Sequence, residues 1–304
     1  MTWSIAFAAV FIAALAGAYL WARENRSVAM LDRVDRLFTG GLSGKRVDYG
    51  DHPRQHLVVY GSESGEPKPI VVFIHGGSWR EGSPEDYGFI ARNLAREGYV
   101  TVLAGYRLGE EGRFPAMLED GAAALAWVHT HAAGFGGDPA RIFLMGHSAG
   151  AYNVVMLALD RQWLGREGLD SSFISGVIGL AGPYDFYPFD TDSTRRAFGA
   201  WPRPEATQPV RFARADAPPM LLASGSGDET VRPRNSLALA AALTEAGRPT
   251  QAVVMEGLDH VGILIALARP LDLWDGRPKQ AVLAFLAENR DAGSASAPVQ
   301  QEDP

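Results

Sequence analysis

The feature that most constrains this chain is the pentapeptide Gly146-His147-Ser148-Ala149-Gly150. Before it, Arg141-Ile-Phe-Leu-Met145 reads as a short buried strand. After it, Ala151 to Leu159 reads as an apolar helix. A serine between strand and helix, with glycine two residues away on each side, suits a sharp turn that exposes its hydroxyl. A side chain at either glycine would crowd the two backbones where they converge. Glycine-flanked serines occur by chance in many proteins, so the rest of the chain must supply the context.

That context is an alternation of strands and helices. Ile70-Val-Val-Phe-Ile74, Tyr99 to Ala104, Gly176 to Leu180 and Met220 to Ser224 are apolar runs of the kind a parallel sheet buries on both faces. Gln251 to Met255 reads as the last strand, and His56 to Tyr60 alternates like an early antiparallel one. Pro84 to Glu97, Phe114 to Ala133, Leu237 to Ala246 and Gln280 to Glu288 read as helices between and after them. The pattern predicts an α/β fold with a mainly parallel central sheet and helices on both faces. Asp185 to Pro219, rich in aromatic, Pro and Arg residues with no clear period, predicts a small irregular excursion after the Gly176 to Leu180 strand.

The ends of the chain read differently. Thr2 to Ala22 holds no charged residue, and Trp3 to Trp21 is almost entirely apolar over about the length that spans a bilayer. Arg23, Arg26, Arg33 and Arg36 follow it, which by the positive-inside rule predicts a single-pass membrane anchor with the catalytic body on the cytoplasmic side. The alternative is a signal peptide cleaved near Ala14-Leu-Ala16 or Ala16-Gly-Ala18, followed by export. Residues 1–22 are thus expected as an anchor or signal segment and 23–44 as a linker with a helix over Val28 to Phe38. A catalytic domain over 45–290 and a disordered tail over 291–304 complete the expected order.

Composition narrows the chemistry. A net charge of −7 without a basic run argues against nucleic acid as a partner. The absence of cysteine removes thiolate nucleophiles and cysteine-bound metals, and no H-E-x-x-H occurs, so neither metal nor cofactor is expected.

A serine hydroxyl needs a base to act as a nucleophile. After a serine at this kind of turn, the acid and then the histidine follow in chain order. Of seven histidines only His260 lies beyond Ser148, just past the last strand, at the carboxyl edge where such sheets carry their sites. His147 adjoins the serine, and consecutive residues at a turn point apart, so it reads as structural. The acid that orients the imidazole has its best candidate in Asp228, in the loop after Met220 to Ser224. Asp185 is the second candidate, and Glu229 and Asp259 read as bystanders. His75-Gly76-Gly77-Ser78-Trp79 ends a buried strand, and the backbone amides of Gly76, Gly77 and Ala149 are candidate donors for an oxyanion. Trp79 and Tyr184, with Phe186, Tyr187 and Phe189, are candidate pocket walls.

Together these stretches, with Tyr106-Arg107-Leu108 and GGDPARI at 136–142, resemble the α/β-hydrolase superfamily. Within it they resemble the HGG-type carboxylesterases, a group that includes hormone-sensitive-lipase-like, feruloyl-esterase-like, prenylcysteine-methylesterase and kynurenine-formamidase proteins. The resemblance covers roughly residues 45–290. It implies Ser148 as nucleophile, His260 as base, Asp228 as orienting acid, and an oxyanion hole at Gly76, Gly77 and Ala149. The expected function is metal-free hydrolysis of a small-molecule carboxylic ester through an acyl-enzyme on Ser148. Two alternatives are an arylformamidase-like amide hydrolase with the same triad, and a non-catalytic membrane-tethered binding module. The segment 3–21 would bring the membrane in as a partner.

Overall fold

Side chains alternate along a strand, so a run that is apolar at every position must be covered on both faces. Ile70, Val72 and Ile74 pack into one core and Val71 and Phe73 into the other, and the next strand divides Leu144 from Phe143 and Met145 in the same way. The computed structural model describes residue 17 and residues 28–40, 42–61, 65–269 and 275–290.

In chain order the elements are α1 (Val28–Thr39), β1 (Lys45–Asp48), β2 (His56–Tyr60), β3 (Lys68–Ile74), α2 (Gly88–Arg96), β4 (Val100–Ala104), α3 (Ala116–His131), β5 (Gly137–His147) and α4 (Ala149–Leu159). There follow α5 (Gln162–Arg166), β6 (Ile174–Leu180), α6 (Asp192–Phe198), β7 (Met220–Gly225), α7 (Arg234–Glu245), β8 (Ala252–Met255), α8 (Gly262–Ile265) and α9 (Arg277–Glu288). The strands form one eight-stranded sheet in the order β1-β2-β4-β3-β5-β6-β7-β8. β1 and β2 run antiparallel, and β2 joins β4 antiparallel. From β4 to β8 every pair is parallel. The mainly parallel sheet and the antiparallel strand at His56–Tyr60 are as the sequence predicts, whereas β1 is an addition.

Helices cover both faces. α3, α4 and α7 bury Leu118, Leu125, Val155, Leu239 and Leu243 on one side, and α2, α8 and α9 bury Phe89, Ile90, Ile263, Val282 and Leu286 on the other. Each such side chain contributes roughly 1.5–3 kcal/mol by leaving water. The excursion between β6 and β7 is built from α6 and two short 3-10 turns at 204–207 and 209–212. The Thr191 side chain accepts from the Thr194 amide to open α6. Motif residues outside the turn have structural partners. Arg107 grips buried Asp120 with Nε and Nη2 at 2.7–2.9 Å, and Arg141 binds Asp138 at 2.6 Å.

Among the described residues no helix is long and apolar enough to cross a membrane. That corrects the expectation of a single-pass membrane anchor with a cytoplasmic catalytic body. Residues 3–21, on which the anchor and the alternative signal peptide rested, lie outside the described residues apart from Gly17, as does the tail at 291–304. The helix expected as a linker does not run free of the body: α1 is docked on α2. Buried Arg92 binds Asp32 at 2.7 Å and Asp35 at 2.8 Å, and Asn93 and the Arg269 amide hold the other Asp35 oxygen at 2.9 and 2.8 Å. The Asp35 side chain is wholly buried, so the pair is stable only while every oxygen is satisfied.

Arg92→Leu strands two buried carboxylates and is expected to cost about 3–5 kcal/mol in a urea melt. A loss under about 1 kcal/mol would show that α1 is held by its apolar contacts alone.

Candidate active site

One residue separates the end of β5 from the start of α4, and that residue is Ser148, with φ 55° and ψ −120°. Such a conformation costs a side-chain-bearing residue on the order of 1–3 kcal/mol and persists only where the surroundings over-determine it. Here they do. The Ser148 amide donates to the Leu180 carbonyl at 2.9 Å, and its carbonyl accepts from the Tyr152 amide at 3.1 Å. A Cβ on Gly146 would stand 2.4 Å from the Gly150 carbonyl, and one on Gly150 would stand 2.0 Å from the Ile74 oxygen. The two glycines let α4 cross against β5 and β3 closely enough to leave the serine at the apex.

The carboxyl ends of β7 and β8 bring two more side chains to it. His260 Nε2 lies 2.9 Å from Ser148 Oγ, and His260 Nδ1 lies 2.7 Å from Asp228 Oδ2. The other Asp228 oxygen accepts from the Thr230 and Val231 amides at 2.9 and 2.8 Å. With both oxygens engaged as acceptors, Asp228 Oδ2 takes its hydrogen bond from Nδ1, which leaves Nε2 to accept from the serine. The loops carrying the two residues are laced together: the Ser226 amide donates to the Met255 carbonyl and the Gly227 amide to the Leu258 carbonyl, each at 2.9 Å. Asp259 caps the turn by accepting from the Gly262 amide at 2.6 Å. The structure thus brings Ser148, Asp228 and His260 together. Asp185 goes elsewhere, its amide bound to Asn235 at 3.0 Å.

Two further histidines hold the site from behind. His147 Nε2 donates to the His260 carbonyl at 2.8 Å, which pins the backbone of the residue facing Ser148. Burial, and then the neighbouring His260, lower its pKa from 6.5 to about 3, so it is neutral. His75 Nδ1 donates to the Gly76 carbonyl at 2.7 Å, and its ring stacks on Tyr106 and Tyr87 at 4.7 and 5.9 Å. Burial lowers its pKa to about 4.

Burial drives up the pKa of the Tyr87 hydroxyl behind this turn. Gly76 leaves the room the turn needs, because a Cβ there would lie 2.9 Å from the His147 oxygen. Among the described residues no oxygen accepts from the amides of Gly77, Ser78 or Ala149. Ser78 and Ala149 line a cavity of about 340 Å3 that opens onto Ser148, with Trp79, Pro183 and Phe186 among its other walls. Ser78 was not singled out by sequence, although its place two residues beyond Gly76 was a usable signal. Tyr184 is not a wall: its side chain is fully buried, with the hydroxyl against Gly179 of β6. A residue so close to the strand end points back over the sheet.

The neutral histidines carry a pH signature. In the unfolded chain they bind protons below about 6.5, whereas in the folded chain they resist until about 4 and about 3. Their stabilising contribution is therefore complete above pH 6.5 and is lost as pH falls from there toward 3. The melting temperature is expected to fall by several degrees between pH 7 and pH 4. In His147→Gln, which keeps a donor for the His260 carbonyl, the fall is expected to be shallower. Parallel curves for the two proteins would contradict a neutral buried His147.

Known proteins share this architecture. The chain is 26% identical over 247 residues to a probable isoprenylcysteine alpha-carbonyl methylesterase of Arabidopsis thaliana, covering 73% of this chain and 51% of that protein. It is 31% identical over 205 residues to the esterase LipC of Mycobacterium tuberculosis, covering 60% of this chain and 51% of LipC. It therefore spans about half the length of these curated relatives. A thermophilic esterase of Thermogutta terrifontis superposes with a TM-score of 0.67 at 23% identity, covering 86% of this chain and 95% of that one. This likeness shows the α/β-hydrolase fold. Residues 58–243, more than half of the chain, match the BD-FAE family, and the chain belongs to it.

Proposed function

We propose that this protein is a serine hydrolase of carboxylic esters, working through an acyl-enzyme on Ser148. The observation that carries the reading is the hydrogen-bonded line from Ser148 Oγ to His260 to Asp228, at 2.9 and 2.7 Å, at the floor of an open cavity. The names of the relatives support ester chemistry, since LipC is called an esterase and the Arabidopsis protein a methylesterase. In this reading the catalytic domain is 45–290, with α1 built onto it.

The proposed steps follow from the geometry. His260 Nε2 takes the hydroxyl proton as Ser148 Oγ bonds to the acyl carbon. Negative charge forms on the former carbonyl oxygen, where the amides of Gly76, Gly77 and Ala149, with that of Ser78, are the candidate preorganised donors, an arrangement often worth several kcal/mol of barrier. The imidazolium is stabilised by Asp228, then gives its proton to the leaving alkoxide as the C–O bond breaks. Water enters, loses a proton to His260 and attacks the acyl carbon, and the imidazolium returns that proton to Ser148 as the acid departs. His147 acts indirectly, by fixing the His260 backbone.

Hydrolysis of p-nitrophenyl acetate and butyrate tests this, with an aryl formamide alongside to read amide cleavage. Ser148→Ala and His260→Ala are each expected to lower kcat by at least about 10^4-fold, and the double variant no further, because the pair acts as a unit. Asp228→Asn is expected to cost about 10^3–10^4-fold with the fold intact. Retention of more than about 1% of activity in Ser148→Ala would remove the serine from the reaction. Formamide turnover far above ester turnover would make the scissile bond an amide.

A further inference from the structure

Trp79 is held in an unusual position by several independent contacts. It and Ser78 are consecutive non-glycine residues with positive φ, 56° and 55°. A bulky side chain keeps that backbone only where its surroundings force it. The Trp79 carbonyl accepts from the Gly109 amide at 2.8 Å, and the indole N–H donates to Asn153 Oδ1 at 3.1 Å. The ring meets Tyr152 and Phe198 edge-on, with centroids 5.5 and 4.8 Å away. Trp79 is 4% exposed and Asn153 is fully buried on α4, the helix that Ser148 opens.

Trp79 borders two spaces. Trp79 and Ser78 line the cavity of about 340 Å3 at Ser148, and both also line an adjoining cavity of about 660 Å3. The far cavity is otherwise lined mostly by charged residues, Arg80, Glu81, Glu110, Arg113, Asp192 and Arg196. Behind the indole there is no room for an alkyl chain, because Tyr152, Phe186 and Phe198 pack on one another with centroids 5.1–5.7 Å apart. An acyl chain growing from Ser148 toward Trp79 meets that residue, and beyond it a cavity whose other walls are mostly charged side chains.

Resting on the Ser148 reading above, we propose that Trp79 is the partition that restricts the acyl group to short chains. Asn153 is the positioning residue that keeps the indole in place. Removing the ring joins the two cavities and relaxes chain-length selection. Selection of this kind is worth roughly 10–200-fold for each methylene that a pocket refuses.

The test is the ratio of kcat/KM for p-nitrophenyl octanoate to that for the acetate, in the full chain. In the wild type the octanoate is expected to lag by tenfold or more. Trp79→Ala is expected to raise the ratio at least tenfold. Trp79→Phe, which keeps an aromatic wall, is expected to stay within threefold of wild type. Asn153→Leu is expected to move the ratio in the same direction as Trp79→Ala, a shift in selectivity that a general loss of stability would not produce. Should Trp79→Ala fail to fold, Trp79→Leu provides the smaller side chain with apolar bulk retained. A ratio within threefold of wild type in the folded variant, or a wild type that prefers octanoate, overturns the partition alone. Absence of hydrolysis by the wild type on every ester overturns the Ser148 reading, and the partition with it.

Discussion

The arrangement depends on how closely one helix can cross two parallel strands. α4 passes over the ends of β5 and β3 with Gly150 so near the Ile74 carbonyl that a single methyl group there would lie 2.0 Å from its oxygen. That approach forces the residue between strand and helix into the left-handed region, and the residue is a serine. Its hydroxyl then projects from the sheet edge at which β7 and β8 also end. The adjacency of β5, β6, β7 and β8 brings residues 112 and 32 positions apart, His260 to Ser148 and to Asp228, within 3 Å of one another. Strain at one backbone position is thus offset by the packing of the whole parallel core.

Around this edge the polar groups are arranged in layers. Asp228 is held by two amides, His260 by Asp228 through its ring and by His147 through its backbone, and His75 is clamped by its own neighbour's carbonyl between two tyrosines. The inner histidines are neutral because burial leaves no water to stabilise a charge, and so their hydrogen bonds have fixed direction. The opposite face of the sheet meets the same demand with the Arg92–Asp32–Asp35 cluster, where burial is tolerable only because the guanidinium binds both carboxylates. Trp79 is restrained in the same manner, through a polar contact at each end of the residue and ring packing between them.

Much of the fold was legible in the sequence because a sheet buried on both faces needs unbroken apolar strands. Ile70–Ile74 and Ile142–Met145 could hardly be read otherwise, and chain order after a glycine-flanked serine narrows the histidine to His260. What stayed hidden had no local pattern. β1, Lys-Arg-Val-Asp at an exposed edge, looks like loop because its strand character comes only from pairing with β2. The docking of α1 depends on Arg92, more than fifty residues away in the chain. The inward turn of Tyr184 is a matter of direction, which spacing does not encode. An almost entirely apolar stretch over 3–21 read as an anchor, yet no described helix is long and apolar enough to cross a membrane.

The central claim is that Ser148 is the nucleophile, activated by His260. Treatment with an alkyl fluorophosphonate followed by intact-protein and peptide mass spectrometry tests it most directly, because the reagent phosphonylates an activated serine far faster than an ordinary hydroxyl. The account expects one phosphonyl group per chain, on the peptide that carries Ser148, and none in Ser148→Ala. An adduct on a different serine, or labelling undiminished in that variant, would contradict it.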